Sequence, residues 1–527
     1  MNMTEKDIEI IVQSVLHNVE SALGKSASAS PSVSAGSVAS GEGIKPVQFK
    51  QVPVSQQETV KSPNRNRNLG GAEEKWGVFN HMEDAIEASY RAQMEFVKHF
   101  QLKDREKIIT AIREAVVREK EVLARKVYEE TKIGRYEDKV AKHELAALKT
   151  PGTEDLKTEA FSGDNGLTIV ERAPYGLIGA VTPVTNPTET IINNAIGMLA
   201  AGNAVVFNVH PSSKRSCAYA VQLINKAITE AGGPHHLVTM VKEPTLDTLQ
   251  TLIDSPKVKL LVGTGGPGLV QTLLKSGKKA IGAGAGNPPV IVDDTADLEH
   301  AARSIIEGAA FDNNLLCIAE KEVFVLESVA DDLIFHMLNH GAYMLGQHEV
   351  EQVMAFALEE QGNEQNRGCG FNPQRHYQVS KDWIGQDARL FLEHIGVQPP
   401  TEVKLLICDV EFDHPFVQLE QMMPVLPIVR VKTLDEAIEK AVMAEHGNRH
   451  TAIMHSKNVD HLTKFARAIQ TTLFVKNASS LAGVGYGGEG HTTMTIAGPT
   501  GEGVTSAKTF TRERRCVLAE GGFRIIG

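Results

Sequence analysis

The sequence predicts an α/β fold with more than one folded unit. Three apolar runs, beginning near residues 177, 203 and 257, are typical of buried strands, and each leads through a turn into a helical segment. Strands that alternate with helices in this way favour a sheet covered by helices. Another such succession follows residue 322. With 527 residues and 42% hydrophobic content, the chain is long enough for two to four domains.

The composition argues against two classes of protein. A formal net charge of -11 does not provide the basic surface that binds nucleic-acid phosphates. The sequence has no run of about twenty apolar residues, the length needed to cross a membrane. Its cysteines are widely spaced and form no C-x-x-C pair, which favours a reducing cytoplasm and predicts neither disulfides nor a metal site. They are Cys217, Cys317, Cys369, Cys408 and Cys516.

Residues 1–23 predict an amphipathic helix. Their apolar residues recur every three to four positions, and polar residues occupy the other side. Residues 24–70 are rich in Ser, Ala, Gly and Pro and predict a flexible linker. The dispersed apolar residues argue against a secretory signal, and the acidic ones argue against a mitochondrial presequence. The helix therefore either packs on its own protein or binds another protein with its apolar face.

Other segments predict scaffold elements without chemistry of their own. Residues 84–99 and 102–131 have helical periodicity and are expected to cover one face of a sheet. Residues 331–346 and 348–361 also predict helices, and residues 508–526 predict one or two terminal strands.

A glycine-rich turn at residues 263–266 predicts a site for an anion. Glycines let the backbone approach a phosphate closely, and Pro267 suits the first turn of a helix, whose N-terminus attracts negative charge. Many strand-to-helix turns contain glycine without binding a ligand, so an ordinary turn is the alternative.

Cys317 is the candidate nucleophile. It lies between a helix of small residues and a strand at 322–326, with Asn313 and Asn314 just before it. A nucleophilic cysteine needs partial exposure, access to the thiolate form and donors for the oxyanion that forms when it attacks a carbonyl. The alternative is a small buried hydrophobic residue. Cys369 is a weaker candidate in a polar loop.

The segment 311–325 resembles the catalytic-cysteine segment of the aldehyde dehydrogenase superfamily. Its motif Asp-Asn-Asn-Leu-x-Cys-Ile-Ala-Glu-Lys is similar to the motif of the branch that converts aldehydes to acyl-coenzyme A. The resemblance extends from about Trp76 to the C-terminus. It implies a doubly wound NAD-binding domain at 71–285 with an oligomerisation hairpin near 157–172, a catalytic domain at 286–490, and an oligomerisation arm at 491–527. A homodimer or homotetramer is expected from the hairpin and the arm.

The resemblance also implies roles for individual residues. Cys317 is expected to attack the aldehyde, and Asn186 to donate to the oxyanion. Thr185 occupies the superfamily's usual asparagine position, so Asn186 is shifted by one, and the alternative is that it caps the following helix. His210 has an alternative as a cap at the strand end, and Glu420 as a solvated acid. The expected cofactor-binding residues are Thr182, Pro183, His210, Pro211, Gly263, Thr264, Gly265, Gly266 and Glu420.

The cofactor expected from the resemblance is NAD. No carboxylate lies near Ser213, where one would bind the adenosine ribose and repel a 2′-phosphate, so NADP remains an alternative. The loop at 481–490 is expected to line the aldehyde pocket.

The absence of an acidic residue predicts what accepts the acyl group after the aldehyde has been oxidised on Cys317. Hydrolytic aldehyde dehydrogenases carry a glutamate that activates water, but no acid lies between Lys279 and Asp293. Without a positioned base water attacks poorly, whereas the thiol of coenzyme A ionises more readily and is more nucleophilic. Acyl transfer to coenzyme A is therefore expected. A hydrolytic dehydrogenase and a non-catalytic interaction protein are the alternatives.

The arrangement of the first 70 residues resembles the encapsulation peptides of bacterial microcompartment cargo. The resemblance implies that residues 1–23 bind a shell or core protein and that the enzyme lies in the cytoplasm, inside a microcompartment. Propionaldehyde or acetaldehyde is the expected substrate.

Overall fold

The computed structural model describes residues 72–361, 376–399, 401–520 and 524–526. All of them belong to one compact unit, Arg67–Gly527. The helix predicted at 1–23, the linker at 24–70 and the loop around Cys369 lie outside the described residues. In the part that is described, no helix is both long and apolar enough to span a bilayer.

The first half of the described chain is a parallel sheet with helices on it and a hairpin beside it. Its helices are α1 (Ala72–Lys75), α2 (Met82–His99), α3 (Leu102–Thr131), α4 (Tyr136–Lys149), α5 (Pro187–Ala200), α6 (Lys214–Glu230), α7 (Leu246–Asp254) and α8 (Pro267–Leu274). Its strands are β1 (Val78–Phe79), β2 (Glu159–Gly163), β3 (Gly166–Pro174), β4 (Leu177–Val181), β5 (Ala204–Asn208), β6 (Val238–Val241), β7 (Val258–Thr264) and β8 (Lys279–Ala283).

Six of these strands form the first sheet, in the order β1-β6-β5-β4-β7-β8. All neighbours are parallel, and the buried strands read as continuous apolar runs, as expected when both faces are covered. The strand order reverses at β4. A reversal of this kind opens a crevice at the carboxyl ends of the strands, where open α/β sheets bind ligands.

The second half contains another parallel sheet, ordered β11-β14-β15-β10-β9-β16-β17. Its helices are α9 (Leu298–Ala310), α10 (Glu327–Asn339), α11 (Gln347–Ala357), α12 (Ala388–His394), α13 (Pro415–Gln418), α14 (Leu434–Ala444) and α15 (Val459–Ile469). The strands of this half are β9 (Pro289–Val292), β10 (Glu322–Leu326), β11 (Ala342–Met344), β12 (Leu358–Gln361), β13 (His376–Val379), β14 (Leu405–Asp409), β15 (Val425–Val431), β16 (Thr451–His455), β17 (Leu473–Lys476), β18 (Ile496–Ala497), β19 (Gly503–Val504) and β20 (Thr511–Ala519).

The α/β class is confirmed, but two predicted helices are too long. The helix predicted at 331–346 ends at Asn339, and Ala342–Met344 joins the second sheet beside β14. The helix predicted at 348–361 ends at Ala357, and Leu358–Gln361 pairs with β13. Helical periodicity continues through both boundaries, whereas strand pairing depends on partners distant in sequence.

A three-stranded antiparallel sheet contains the predicted hairpin. β3 pairs with β2 on one side and with β20 on the other. Nearly every residue of β20 is exposed. The C-terminal segment therefore returns to the first half of the chain, and the role of this sheet in oligomerisation remains a prediction.

Helix α5 lies in the core and sets the position of the turn before it. Every residue of the helix is buried, including the charged Glu189 and the amides of Asn193 and Asn194, so these polar groups need partners within the core. Asn193 donates to the Thr150 hydroxyl at 2.9 Å and accepts from the backbone N–H of Met494 at 3.1 Å. These contacts hold α5 between α4 and the segment at 491–510, and so fix Asn186, which immediately precedes it.

Candidate active site

The chain reverses sharply just before Cys317. Helix α9 ends at Ala310. In the turn that follows, Asp312, Asn313 and Asn314 all have left-handed backbone conformations, with φ of 48°, 55° and 66°. Asp and Asn adopt this conformation more readily than other residues with a β-carbon. The two asparagines before the cysteine are therefore part of the turn that presents the thiol.

The groups around the Cys317 thiol shift its pKa in opposite directions. It is partly exposed, and the backbone N–H groups of Cys317 and Ile318 are hydrogen-bond partners that favour the thiolate, as does the nearby ammonium of Lys321. Burial, with the negative charge of Glu420, raises the pKa of the Cys317 thiol to about 12. The resting group is a neutral thiol, so a base must accept its proton for rapid attack.

Lys321 is buried directly behind the cysteine. Its Nζ donates to the carbonyl oxygens of Asn314 and Leu316 at 2.9 and 3.3 Å, and to Oδ1 of Asn314 at 2.5 Å. Burial lowers its pKa, against the attraction of the Glu420 and Cys317 charges. Lys321 therefore holds the loop that carries the thiol and places a cation beside it.

Asn186 occupies the position before the first turn of α5. The predicted alternative, that its side chain caps the helix, is not what is found, because no capping hydrogen bond from it appears among the described residues. Its Oδ1 instead accepts from the Nζ of Lys142 at 2.7 Å, and its Nδ2 donates to the Thr185 hydroxyl at 3.3 Å. The amide is thus oriented by a buried cation.

Asn186 and Cys317 line the same small pocket, together with Lys142. Tyr486 lies across it from Phe311, with ring centroids 5.6 Å apart. The loop at 481–490, predicted to line the aldehyde pocket, contributes three of the lining residues. The remaining wall is apolar and suits a short hydrocarbon chain. Its apolar residues include Leu145, Phe311, Leu481, Val484, Met494 and Ile496.

The expected cofactor-binding residues follow strands that are neighbours in the first sheet. β4 lies between β5 and β7, with Val181 opposite both Asn208 and Gly263. The residues at the carboxyl ends of these strands therefore come to one edge of the sheet, next to the turn that holds Asn186. They are Thr182, Pro183, His210, Pro211, Thr264, Gly265 and Gly266.

Some of these residues already have internal partners. Thr182 is an exception, because it is buried and its Oγ1 has no hydrogen-bond partner among the described residues. The Thr264 hydroxyl lies 2.9 Å from that of Thr495. The Gly265 N–H donates to the carbonyl of Ala283 at 3.1 Å. The Thr264 hydroxyl and the Gly265 N–H therefore already have partners within the protein, whereas the Thr182 hydroxyl does not.

Two positions of the glycine turn have different physical reasons for glycine. A Cβ at Gly263 would lie 2.3 Å from Leu273, so glycine is required for the packing of α8 against β7. A Cβ at Gly266 would meet none of the described atoms within 4 Å. Gly266 begins α8, where the backbone dipole favours a phosphate. Gly266 is therefore the position in this turn where a ligand has room to approach the backbone.

His210 has the capping contact that was its predicted alternative, and its role in cofactor binding remains a prediction. Its Nδ1 accepts from the backbone N–H of Ser212 at 3.2 Å, so the ring caps the short turn at Pro211–Ser213. The ring is nevertheless exposed at the sheet edge. Burial and the charge of Lys381, which belongs to the second half of the chain, lower its pKa.

Glu420 is partly buried, and its charge acts on the Cys317 thiol. The backbone N–H of Gly286 donates to its carboxylate, and burial raises its pKa against the attraction of Lys321. A carboxylate in this place suits the two hydroxyls of a ribose next to Cys317. Glu420, the edge of the first sheet and the backbone at Gly266 are groups of the kinds that bind NAD, so these residues fit that cofactor.

His450 is a candidate that the sequence did not reveal. A Cβ at Gly286 would lie 2.9 Å from its ring and 2.8 Å from the carbonyl oxygen of Cys317, so the ring packs close to the cysteine. Its Nδ1 lies 2.9 Å from the Thr451 hydroxyl. Its Nε2 is buried with no hydrogen-bond partner among the described residues. Burial, with the charge of Lys321, lowers its pKa to about 4, which leaves a neutral imidazole.

One acidic cluster lies apart from this site. Asp293, Asp294 and His461 bring possible metal-ligand atoms within 4.8 Å of one another. Asp293 already accepts from Ser456 at 2.6 Å, from His461 at 2.7 Å and from Thr295 at 2.7 Å. These bonds join the loops after β9 and β16, and we assign the cluster a structural role.

Comparison with known proteins shows similarity to aldehyde dehydrogenases along most of the chain. Residues 55–506 match the model of the aldehyde dehydrogenase family. The chain is 47% identical over 451 residues to an acetylating acetaldehyde dehydrogenase of Salmonella typhimurium, covering 85% of this chain and 94% of that one.

Two solved structures are also similar. A propionaldehyde dehydrogenase from the fucose-utilisation bacterial microcompartment of Clostridium phytofermentans superposes with a TM-score of 0.81 at 48% identity, covering 85% of this chain and 99% of that one. A propionaldehyde dehydrogenase of Rhodopseudomonas palustris, with bound coenzyme A and an acylated cysteine, gives 0.80 at 48% identity, covering 84% and 98%.

Proposed function

The chain belongs to the aldehyde dehydrogenase family, and from this premise we propose that it oxidises a short-chain aldehyde, propionaldehyde or acetaldehyde, to the corresponding acyl-coenzyme A. The observation that carries the proposal is the pocket shared by Cys317 and Asn186. It places a thiol and an amide donor together within an apolar wall that admits a short chain.

In the first half-reaction Cys317 is the nucleophile. Its thiol gives up its proton to solvent water as the sulfur adds to the aldehyde carbon, and the oxyanion that forms accepts from Nδ2 of Asn186 and from the backbone N–H of Cys317. The edge of the first sheet and Glu420 would hold NAD, which would accept the hydride when bound. When the aldehyde hydrogen has left as hydride, the carbonyl re-forms as a thioester on Cys317.

In the second half-reaction the thiol of coenzyme A attacks this thioester. The Nε2 of His450 is neutral and lacks a described protein partner, so it suits a base that takes the proton of the incoming thiol. The proton then passes to the Cys317 sulfur as that bond breaks. The sum of both steps is aldehyde, NAD and coenzyme A giving acyl-coenzyme A, NADH and one proton.

A hydrolytic dehydrogenase is a second candidate because Glu420 lies beside Cys317. With its pKa raised by burial, this carboxylate could act as a base toward water. We favour coenzyme A because the segment at 281–290 contributes glycine backbone, and not a carboxylate, next to the thiol.

We further propose that the enzyme is a homodimer or homotetramer assembled through β2, β3 and β20. The exposed strand β20 supports this. Residues 1–23 are proposed to bind a shell or core protein and to hold the enzyme inside a microcompartment in the cytoplasm. Their amphipathic pattern supports a docking helix.

The experiment is a measurement of NADH formation from propionaldehyde and NAD, with and without coenzyme A. Sustained turnover only with coenzyme A, and none in Cys317→Ala, is the expected result. Equal turnover without coenzyme A would favour hydrolysis. In that case Glu420→Gln, measured at saturating NAD, should abolish sustained turnover with water but keep the first NADH turnover, because only hydrolysis of the thioester needs Glu420 as a base.

A further inference from the structure

We propose that Lys142 is a positioning residue for the oxyanion site, which fixes the amide of Asn186 and joins it to the turn that carries Cys317. This inference rests on the proposed function. Lys142 lies on α4, and its side chain is fully buried.

The contact with Asn186 decides which way the amide points. An ammonium group has three donors and no acceptor, so the atom of Asn186 that faces Lys142 at 2.7 Å must be the oxygen. The NH2 group is then turned away from Lys142. Without the cation, the two orientations of an amide differ only by its remaining contacts, here the Thr185 hydroxyl at 3.3 Å. Lys142 therefore keeps a donor available for the oxyanion.

The same ammonium reaches the cysteine turn. Its Nζ lies 2.5 Å from Oδ2 of Asp312, in the first of the three left-handed residues before Cys317. Asp312 also accepts from the backbone N–H of Arg135 at 2.7 Å. Asn186 follows a strand of the first sheet, whereas Asp312 precedes a strand of the second. Lys142 thus joins the supports of the two oxyanion donors.

The ammonium keeps its charge although it is buried. Burial alone would lower its pKa, but Asp312 and Glu189 raise the pKa of Lys142 above its ordinary value. Glu189 lies 3.3 Å away, and its pKa is held at about 2, against burial, by Lys142, His143 and Lys139. A charged donor polarises the Asn186 amide and strengthens its N–H groups as donors.

Lys139 provides a matched control. It lies one turn earlier on α4, is equally buried, and its Nζ is 3.1 Å from the same Oδ2 of Asp312. The only described contact of its ammonium with the site is through Asp312, and it does not reach Asn186. Both lysines can therefore stabilise the fold through their buried charge. Of the two, only Lys142 contacts Asn186 and can orient its amide.

The test is a double-mutant cycle that uses Lys142→Met and Asn186→Ala, with Lys139→Met as the control. The readout is the rate of the first NADH turnover with propionaldehyde in the absence of coenzyme A, which isolates the aldehyde step. We expect Lys142→Met to lower this rate by about tenfold or more, and Lys139→Met by less than about twofold. In the Asn186→Ala background, Lys142→Met should cause no further loss.

Additive losses in the cycle, or equal losses from the two lysine variants, would overturn the inference. Removing one buried cation can unfold a protein, so both lysine substitutions are repeated with Glu189→Gln, which restores the charge balance. If NADH forms but no acyl-coenzyme A is made, the proposed function fails while the coupling of Lys142 to Asn186 can still be measured. If turnover depends on coenzyme A but Lys142 and Asn186 are not coupled, only the inference about Lys142 is overturned.

Discussion

The carboxylate of Glu320 accepts two hydrogen bonds from Ser480, one from its backbone N–H at 2.8 Å and one from its hydroxyl at 2.7 Å. Glu320 lies three residues after Cys317, and Ser480 begins the turn that carries Leu481 and Val484 into the pocket. This fully buried contact therefore joins the nucleophile's segment to the opposite wall of the pocket.

The burial of Glu320, which outweighs the two hydrogen bonds from Ser480, should make stability depend on pH. Burial raises the pKa of Glu320 from 4.5 to about 7, so the folded state binds a proton that the unfolded state has already released. The contribution is present in full below pH 4.5 and is lost as the pH rises to about 7, and a pKa difference of this size corresponds to about 3 kcal/mol.

The measurement is urea unfolding of the wild type and of Glu320→Gln at several pH values. The difference in unfolding free energy, wild type minus variant, should fall between pH 4.5 and about pH 7 and stay constant above that. A difference that rises with pH would mean that the ionised carboxylate is the form that the fold stabilises.

His450→Gln should slow acyl transfer to coenzyme A more than it slows NADH formation in the first turnover. Because burial lowers the pKa of His450 to about 4, the imidazole is unprotonated at neutral pH, and its Nε2 has no hydrogen-bond partner among the described residues that would occupy it. We expect a loss of about a hundredfold in the coenzyme A-dependent step, as is typical of a general base.

The matched control is His455→Gln. His455 is another buried neutral histidine, and its pKa is lowered to about 3, but it lies at the other end of β16 from His450. Rapid-quench measurement of the acyl-enzyme separates the two half-reactions. If both substitutions reduce acyl transfer equally, the effect comes from the fold and not from the base.

Lys321→Met and Glu420→Gln should change the reactivity of Cys317 in opposite directions. The Lys321 cation lowers the thiol pKa and the Glu420 anion raises it. At a fixed pH below that pKa, the thiolate fraction falls about tenfold when the pKa rises by about one, so alkylation by iodoacetamide should be roughly tenfold slower in the first variant and faster in the second. Mass spectrometry would confirm that Cys317 is the alkylated residue, and changes of the same sign would contradict this account.

The sequence predicted the parts of the site that depend on local patterns. Cys317, the asparagines before it and the glycine turn lie in short motifs whose chemistry can be read residue by residue. Lys142 and His450 could not be found in this way, since they approach Asn186 and Cys317 only through folding and have no motif of their own. Lys321 was visible within the cysteine motif, but its role depends on carbonyl groups that the left-handed turn directs inward. The strand Leu358–Gln361 was missed for a similar reason, because its partner is β13.

Residues 1–40 should be dispensable for catalysis but required for location. They precede the described residues and the segment that matches the family model. Deletion should leave coenzyme A-dependent turnover within about twofold and abolish co-localisation with microcompartments. As a control, the same segment fused to a fluorescent protein should direct it to them, whereas lost enzyme activity would make the segment part of the catalytic fold.

Gly266→Ala should weaken the binding of NAD without weakening the fold. Gly266 has φ of -63° and ψ of 165°, a conformation that alanine adopts without strain, and its Cβ would meet none of the described atoms within 4 Å. If a phosphate of NAD approaches the start of α8 at this point, the added methyl group must push it away. The KM for NAD should rise by about tenfold while the KM for coenzyme A and the midpoint of thermal unfolding stay unchanged. Gly268→Ala is the control, because a Cβ there also meets open space but lies within the helix. Equal KM values for NAD in the two variants would place the phosphates elsewhere along the sheet edge.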